Sequence, residues 1–240
     1  MTKKLQNKVY KVILFNDIVG SSKLWKKHGT KMLQTLDKLL QLIKTLTIKH
    51  KGFIIKFIGD SFNISFDTIA NAINFTLELY DSLNKSPISP LSKSKSFKLN
   101  EEDIIKLRTG ICIGFLQEYS FFIQNCQLVD YFGNVINTAS RMESKISSVG
   151  GLAIGFPQDN DNKKKITIID EVLNYLNTHP LMSNYKIEQK FFTNKCNSNQ
   201  LSMDRFKRSS KLLHDLNIKC SDISELKGVD KVFVINIKPI

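Results

Sequence analysis

The sequence has few cysteines, and their spacing fits neither a metal site nor a disulfide framework. The four of them, Cys112, Cys126, Cys196 and Cys220, lie far apart, and no two are separated by only two residues. This spacing argues against a zinc ribbon and against a disulfide-stabilised scaffold. We therefore expect reduced thiols and a reducing compartment.

Long hydrophobic runs are also missing. No uninterrupted apolar stretch approaches the roughly 20 residues that a helix needs to cross a bilayer. Residues 1–11 are basic but lack the apolar segment of a signal peptide. We expect a soluble, cytoplasmic protein with no transmembrane segment.

Acidic residues are scarce relative to basic ones. The 240 residues carry 35 Lys and Arg against 22 Asp and Glu, a formal net charge of +13, and residues 1–60 contain 13 lysines but only three acids. Such a surface attracts polyanions, among them nucleotides, nucleic acids and acidic lipids, without selecting one of them. Aromatic residues do not alternate with the basic ones as they do in single-strand binders, so we expect no DNA or RNA partner.

Hydrophobic periodicity predicts one α+β domain over residues 1–240. The predicted order is βαββαβ, followed by an extended arm or hairpin at 115–129 and a helix at 133–146. The six core segments are Val9–Asn16, a helix from Thr30 to Gly52, Phe53–Ile58, Phe62–Phe66, Ile69–Leu83 and Ile105–Ile113. A last strand is predicted at Val232–Ile237. Between the helix at 133–146 and this last strand the hydrophobic pattern is weak, with a polar turn at 159–165 and a short helix at 170–176.

Two aspartates stand at the ends of predicted strands. Asp17 follows the first strand, and Asp60 lies in the tight turn between the second and the third. Two carboxylates that converge at strand ends within a cationic segment form a suitable site for hard divalent cations. The alternative is that both are ordinary turn-forming residues.

Other polar residues near these strand ends have two interpretations each. The backbone of Val19, Gly20, Ser21 and Ser22 offers N–H groups that suit phosphate oxygens. Asn137 and Arg141 are four residues apart on a predicted helix, so they either reach one bound molecule or form a solvated face. Lys56 is expected on the same strand face as Ile54 and Ile58, which is unusual unless it meets a polar partner. Asp130 precedes the same helix. It is either a site residue or an acid that only stabilises the helix start through the helix dipole.

Four segments in this order resemble the successive motifs of the class III nucleotidyl cyclase catalytic domain. They are FNDIVGSS at 15–22, KFIGDSF at 56–62, RTGICIG at 108–114 and DYFGNVINTASR at 130–141. The resemblance covers about residues 9–155 and returns at Leu226-Lys227-Gly228, within a second core segment at 222–238. Residues 157–221 match nothing in that pattern and are interpreted as an insertion. The implied fold is a ferredoxin-like βαββαβ core of the cyclase type.

The resemblance also implies a role for each motif residue. Asp17, Asp60 and the carbonyl of Ile18 would hold two divalent cations, Mg²⁺ or Mn²⁺. Lys56 and Asp130 would select the base, Asn137 would orient the ribose, and Arg141 would stabilise the transition state. Val19, Gly20, Ser21, Ser22 and Lys227 would contact the phosphates. The sequence departs from the family at Val229, where a phosphate-binding lysine is common.

The implied reaction joins the 3′-oxygen of a nucleoside triphosphate to its own α-phosphorus and releases pyrophosphate. The Lys56 and Asp130 pair favours ATP, and because the chain carries both halves of a site it resembles homodimeric adenylate cyclases, in which each active site is shared between two subunits. The segment 115–129, with Phe121, Phe122 and Ile123 consecutive, is a candidate for part of the dimer interface or for the protein's own core. Alternatives are a cyclase for GTP or a pyrimidine triphosphate, and a non-catalytic nucleotide- or nucleic-acid-binding module.

Overall fold

A computed structural model describes residues 6–91, 100–123, 126–157, 162–193, 223–225 and 231–240. Within these residues the chain forms nine strands and five α-helices. The strands are β1 Gln6–Ile18, β2 Phe53–Ile58, β3 Ser61–Phe66, β4 Leu107–Ile123, β5 Cys126–Phe132, β6 Leu152–Pro157, β7 Tyr185–Thr193, β8 Ile223–Glu225 and β9 Lys231–Pro239. The helices are α1 Ser21–His28, α2 Lys31–Lys49, α3 Ile69–Lys85, α4 Asn134–Arg141 and α5 Asn162–Thr178.

All nine strands belong to one sheet, ordered β2-β3-β1-β4-β6-β9-β7-β8, with β5 paired to β4. The first four strands of this path, with α2 and α3, form the ferredoxin-like βαββαβ core, so the predicted fold class is confirmed. Both β1 and β2 pair antiparallel with β3, so they run in the same direction and end at the same edge of the sheet. That edge carries Asp17 and Asp60.

The two faces of the sheet bury different side chains, because successive residues of a strand point to opposite sides. On β1, Val12 and Leu14 belong to the larger core that the helices α2, α3 and α5 cover. Ile13 instead packs with Tyr131 of β5 and Val135 of α4, which cover the other face. Asp17 shares the side of Ile13, and it is therefore on the face that α4 and the β4–β5 hairpin approach.

Several predicted boundaries differ from the structure. The predicted polar turn at 159–165 lies partly within α5, which also extends the predicted helix at 170–176 to Thr178. The helix predicted at 133–146 is α-helical only to Arg141 and continues as one π-turn, Met142–Ile146. Strands β6, β7 and β8 and helix α1 were not predicted. Helix α1 has only eight residues, of which Leu24 is the one that is buried.

The predicted face of Lys56 is wrong. A β-bulge between Ile54 and Lys56 interrupts the alternation of β2, since Ile54 pairs with Ile64 whereas Lys56 pairs with Asn63. Ile54 packs against the larger core, and Lys56 contacts β5 on the opposite face. A bulge adds one residue to a strand and turns the following side chain to the other side.

No helix of the described residues combines the length and the apolar composition that a membrane span requires.

Candidate functional site

Asp17 and Asp60 both lie at the edge where β1 and β2 end. The Ser61 hydroxyl, adjacent to Asp60 in the chain, donates a hydrogen bond to Asp17 Oδ1 at 2.6 Å. Asp17 is the second-last residue of β1, and Asp60 lies in the two-residue turn between β2 and β3, where Gly59 has φ 65°. The hairpin therefore carries Asp60 to the side of the Asp17 carboxylate.

The two carboxylates have the chemistry of a divalent cation site. Asp60 Oδ2 is buried and has no hydrogen-bond partner within the described residues. A buried carboxylate oxygen is costly to leave unpaired, and a bound cation satisfies it. Asp17 accepts from Ser61 and Arg108, but a carboxylate has about four lone-pair positions and so retains capacity for a cation. No cluster of three His, Cys, Asp or Glu side chains occurs in the described part of the chain, so further ligands would be backbone, water or substrate oxygens.

Arg108 connects Asp17 to a second acid that the sequence did not single out. Its Nη2 lies 3.2 Å from Asp17 Oδ2, and its Nε lies 2.5 Å from Glu143 Oε1 in the π-turn after α4. Glu143 is 8% exposed. Burial raises the pKa of the Glu143 carboxyl, and the Arg108 guanidinium opposes that rise. The only sequence signal for Arg108 was its place in the third motif, and Glu143 had none.

The predicted phosphate-contacting segment begins the helix α1. Gly20 occupies the position before the helix with φ 71°, a left-handed conformation that glycine adopts without strain. The Val19 N–H donates to the carbonyl of Lys106 at 2.9 Å, so it is not available to a phosphate. The N–H groups of Gly20, Ser21 and Ser22 make no hydrogen bond within the described residues, as expected at a helix start. Lys227 and Val229 lie outside the described residues.

Lys56 and Asp130 contact each other although 74 positions separate them. The Lys56 Nζ donates to Asp130 Oδ1 at 2.9 Å and to Oδ2 at 2.7 Å. The N–H of Tyr131 also donates to Oδ1, at 2.8 Å, which holds the carboxylate in place. Both side chains remain partly exposed, at 40% and 23%. The pair is therefore ordered and still accessible to a ligand.

Asn137 and Arg141 lie together on the exposed side of α4. Val135, Thr138 and Ala139 bury the opposite side of the helix against the sheet. Asn137 and Arg141 are exposed. Neither makes a hydrogen bond or an ion pair with Asp17 or Asp60 in this chain. Their side chains are free to approach another molecule.

Buried polar contacts support the edge that carries these residues. The Asn16 amide donates to the Thr109 hydroxyl at 2.8 Å, and the Tyr80 hydroxyl lies 2.6 Å from the same oxygen. Tyr80 also donates to the carbonyl of Gly151 at 2.7 Å. These bonds connect β1 with β4 and α3 next to Asp17 and Arg108, so they stabilise the register of the two site-bearing strands.

Comparisons with known proteins give a family match. The family described as the adenylate and guanylate cyclase catalytic domain matches residues 4–151. A curated adenylate cyclase of Podospora anserina is 27% identical over 145 residues, which are 55% of this chain and 6% of that protein. The chain therefore aligns with only a small part of that relative's length.

Two solved structures share the fold. The catalytic core of a rhodopsin-guanylyl cyclase with converted specificity, in complex with ATPαS, has a TM-score of 0.60 at 18% identity over 100% of both chains. The adenylyl cyclase CyaB from P. aeruginosa has a TM-score of 0.58 at 14% identity, over 98% of this chain and 97% of that one. With the family match over most of the sheet and both aspartates, this chain belongs to the adenylate and guanylate cyclase catalytic domain family.

Proposed function

We propose that this chain is an adenylate cyclase that converts ATP to 3′,5′-cyclic AMP and pyrophosphate. The observation that carries the choice of ATP is the Lys56 and Asp130 pair, with Nζ to carboxylate distances of 2.7 and 2.9 Å. The observation that supports nucleotide cyclisation is the contact of Asp17 with Ser61, next to an Asp60 whose buried Oδ2 lacks a partner within the described residues.

The base preference follows from what each side chain donates or accepts. The Lys56 ammonium only donates, and it suits an unprotonated ring nitrogen of adenine. The Asp130 carboxylate only accepts, and it suits the exocyclic amine. Guanine presents an oxygen at the corresponding position, which a carboxylate repels. A partly exposed ion pair is worth about 0–1 kcal/mol, so opening it to admit adenine costs little.

The residues that would hold divalent cations are Asp17, Asp60 and the carbonyl of Ile18. Cations bound there supply Lewis acidity, which lowers the pKa of the ribose 3′-hydroxyl and neutralises phosphate charge. The free N–H groups of Gly20, Ser21 and Ser22 would donate to phosphate oxygens at the start of α1. The net charge of +13 attracts the triphosphate to this surface.

Two exposed residues of α4 complete the proposed chemistry. The planar guanidinium of Arg141 presents several N–H donors, so it can donate to the α-phosphoryl oxygens as charge accumulates there. Asn137 lies one turn earlier on the same side of the helix and would orient the ribose so that its 3′-oxygen faces the α-phosphorus. Both would serve the site of a partner subunit, because neither contacts Asp17 or Asp60 in its own chain.

A second copy of the chain is the proposed occupant of an exposed apolar surface, which we call the hairpin patch. Its members are large hydrophobic side chains on β1, β4 and β5 that lie on one face of these strands, each at least 39% exposed: Tyr10, Phe115, Ile123, Leu128 and Phe132. Tyr10 and Phe115 stack edge to face at 5.0 Å. A cluster of this size is uncommon on a monomer, and a two-fold dimer would bury it.

The test is to incubate the purified chain with ATP, GTP, CTP or UTP in the presence of Mg²⁺ or Mn²⁺ and to identify the products by mass. We expect cyclic AMP from ATP and little product from the other three. Asp17→Asn is the inactive control, and the exposed Glu171→Gln is the neutral one. Preference for GTP or a pyrimidine would contradict the base assignment, and no cyclic product from any substrate would contradict the cyclase function.

A further inference from the structure

Arg108 is held between two carboxylates that belong to different parts of the proposed machinery. Its Nη2 contacts Asp17, which would hold a cation, and its Nε contacts Glu143, two residues after Arg141. The Nη2 contact is a hydrogen bond, whereas the Nε contact is an ion pair, since neither Arg108 Nε nor Glu143 Oε1 makes a hydrogen bond within the described residues. A guanidinium is planar and rigid, so its contacts with two carboxylates couple their positions. Arg108 therefore ties the end of β1 to the end of α4 within one chain.

The packing around Glu143 leaves that side chain little freedom. The π-turn Met142–Ile146 lies directly on β4, where a Cβ at Gly110 would be 2.1 Å from the Glu143 nitrogen and 2.3 Å from the Ala139 carbonyl oxygen. Only glycine permits this approach. The Glu143 side chain is 10% exposed and the Arg108 side chain is 32% exposed. A buried carboxylate that loses its cationic partner is unfavourable, so the Arg108 contact stabilises the charged form of Glu143.

The two ends of this connection serve different active sites if the sites are shared between subunits, and the inference rests on that part of the proposed function. One chain then gives Asp17 to one site and Arg141 to the other. We propose that Arg108 and Glu143 are positioning residues that couple the two active sites of the dimer. Any change in the attraction between Asp17 and Arg108 alters the position of Glu143 and of the helix that carries Arg141 in the other site. By linkage, the effect is reciprocal.

A mixed dimer with one working site separates this proposal from a local role. One chain carries Asp17→Asn and the other carries Arg141→Ala, so the only intact site takes Asp17 from the second chain and Arg141 from the first. Glu143→Gln is then added to either chain. We expect kcat of the single site to fall roughly 2- to 30-fold in both placements, with a smaller change in KM. A fall in kcat when Glu143→Gln is in only one of the two chains would contradict the coupling between the two sites.

A second measurement needs neither metal nor turnover. Hydrogen–deuterium exchange is followed over 134–146 in the full chain with chelator present. Arg108→Gln should exchange faster there, because Glu143 loses its partner, and Asp17→Asn should exchange more slowly, because Arg108 then pairs with Glu143 alone. Arg108→Lys, which keeps the charge without the two-sided geometry, should behave like Arg108→Gln. Exchange in Asp17→Asn equal to wild type would overturn the link.

The controls distinguish this proposal from the function on which it rests. Glu171→Gln repeats the chemical change at an exposed position of α5 and should alter neither kcat nor exchange. Melting temperatures of all variants identify those that fail to fold. A mixed dimer that is inactive without Glu143→Gln would contradict the shared sites, and with them the coupling between sites. The hydrogen–deuterium exchange data test separately whether Asp17 and α4 are linked within one chain.

Discussion

The Nζ of Lys56 lies 2.9 and 2.7 Å from the two carboxylate oxygens of Asp130. A bulge in β2 turns Lys56 to the face that β5 covers, and the Tyr131 N–H holds the Asp130 carboxylate. A cation and an anion are thus presented together at one accessible point. Such a pair can distinguish adenine from guanine, because the two bases differ in which atoms of their edge donate hydrogen bonds and which accept them.

Replacing both members of this pair should change the base preference. In Lys56→Glu with Asp130→Cys, we expect kcat/KM for ATP to fall about 10- to 100-fold, because hydrogen bonds to charged groups are worth roughly 1.5–3 kcal/mol. The activity with GTP should rise relative to ATP. Steady-state kinetics with both substrates measure the ratio. Lys44→Glu, on the exposed side of α2, controls for the charge change and should leave the ratio unaltered.

Asp60→Asn should separate activity from stability. Because Asp60 Oδ2 is buried without a partner, removing the charge should not lower the melting temperature. Turnover should fall at least about 100-fold, since a neutral amide is a poor ligand for a hard cation. Calorimetric titration with Mn²⁺ and a cyclisation assay test the two effects. A variant with full turnover would contradict the cation assignment, and one that unfolds would contradict the unpaired oxygen.

Gly110→Ala should destabilise the protein far more than Gly114→Ala on the same strand. At position 110 the added carbon meets the backbone of α4 and the π-turn, whereas at 114 it meets only the end of the Val135 side chain at 2.9 Å. We expect a loss of about 3 kcal/mol for Gly110→Ala and less for Gly114→Ala, because a side chain moves more readily than a backbone. Urea unfolding monitored by circular dichroism measures both. Equal losses would mean that α4 does not approach β4 this closely.

The buried Asp103 should make the stability of the fold sensitive to acid. Its carboxylate lies 2.7 Å from the Lys27 ammonium and 2.6 Å from His28 Nε2. The hydrogen bond from Lys27, helped by His28, lowers the pKa of Asp103 despite its burial. A carboxyl with a lowered folded pKa stabilises the fold above its ordinary pKa and loses that contribution as the pH falls through the folded value.

Asp103→Asn should therefore cost about 1–3 kcal/mol of unfolding free energy at pH 7. The difference from wild type should shrink as the pH falls from the ordinary range of an aspartate carboxyl, about 4, through the lowered pKa of the folded Asp103. Denaturant unfolding at a series of pH values tests this. Asp170→Asn on the exposed side of α5 should show no such dependence. A difference that stays constant with pH would exclude a role for the Asp103 charge.

Phe115 should be required for the dimer. It is 56% exposed in the hairpin patch, where it packs against Tyr10, and Phe115→Asp would place a charge in the proposed interface. We expect a monomer in sedimentation velocity, loss of cyclase activity and an unchanged fold by circular dichroism. Leu33→Asp introduces the same charge at a residue that is 59% exposed on α2, outside the hairpin patch, and should leave the dimer intact. A dimeric Phe115→Asp would contradict the interface.

Local patterns were sufficient for the core elements. The alternating and apolar runs at 53–58 and 62–66 correspond to β2 and β3, and the helical spacing from Met32 to Leu46 corresponds to α2. Helix α2 buries one continuous face, so its periodicity is strong, whereas β2 and β3 are recognised by their apolar composition. Helix α1 was missed because it buries only Leu24. Strand β6 was missed because a short apolar run has no distinctive period of its own, and β7 because it contains several charged residues.

The sequence by itself determined the order of the βαββαβ elements and which polar residues stand at their ends, because both follow from local spacing along the chain. Only the tertiary structure decided which side chains meet. The bulge that aims Lys56 at Asp130, the occupied N–H of Val19 and the Arg108 contact with Glu143 all depend on residues far apart in the chain. Such contacts arise from strand register and helix approach, which have no local signature in the sequence.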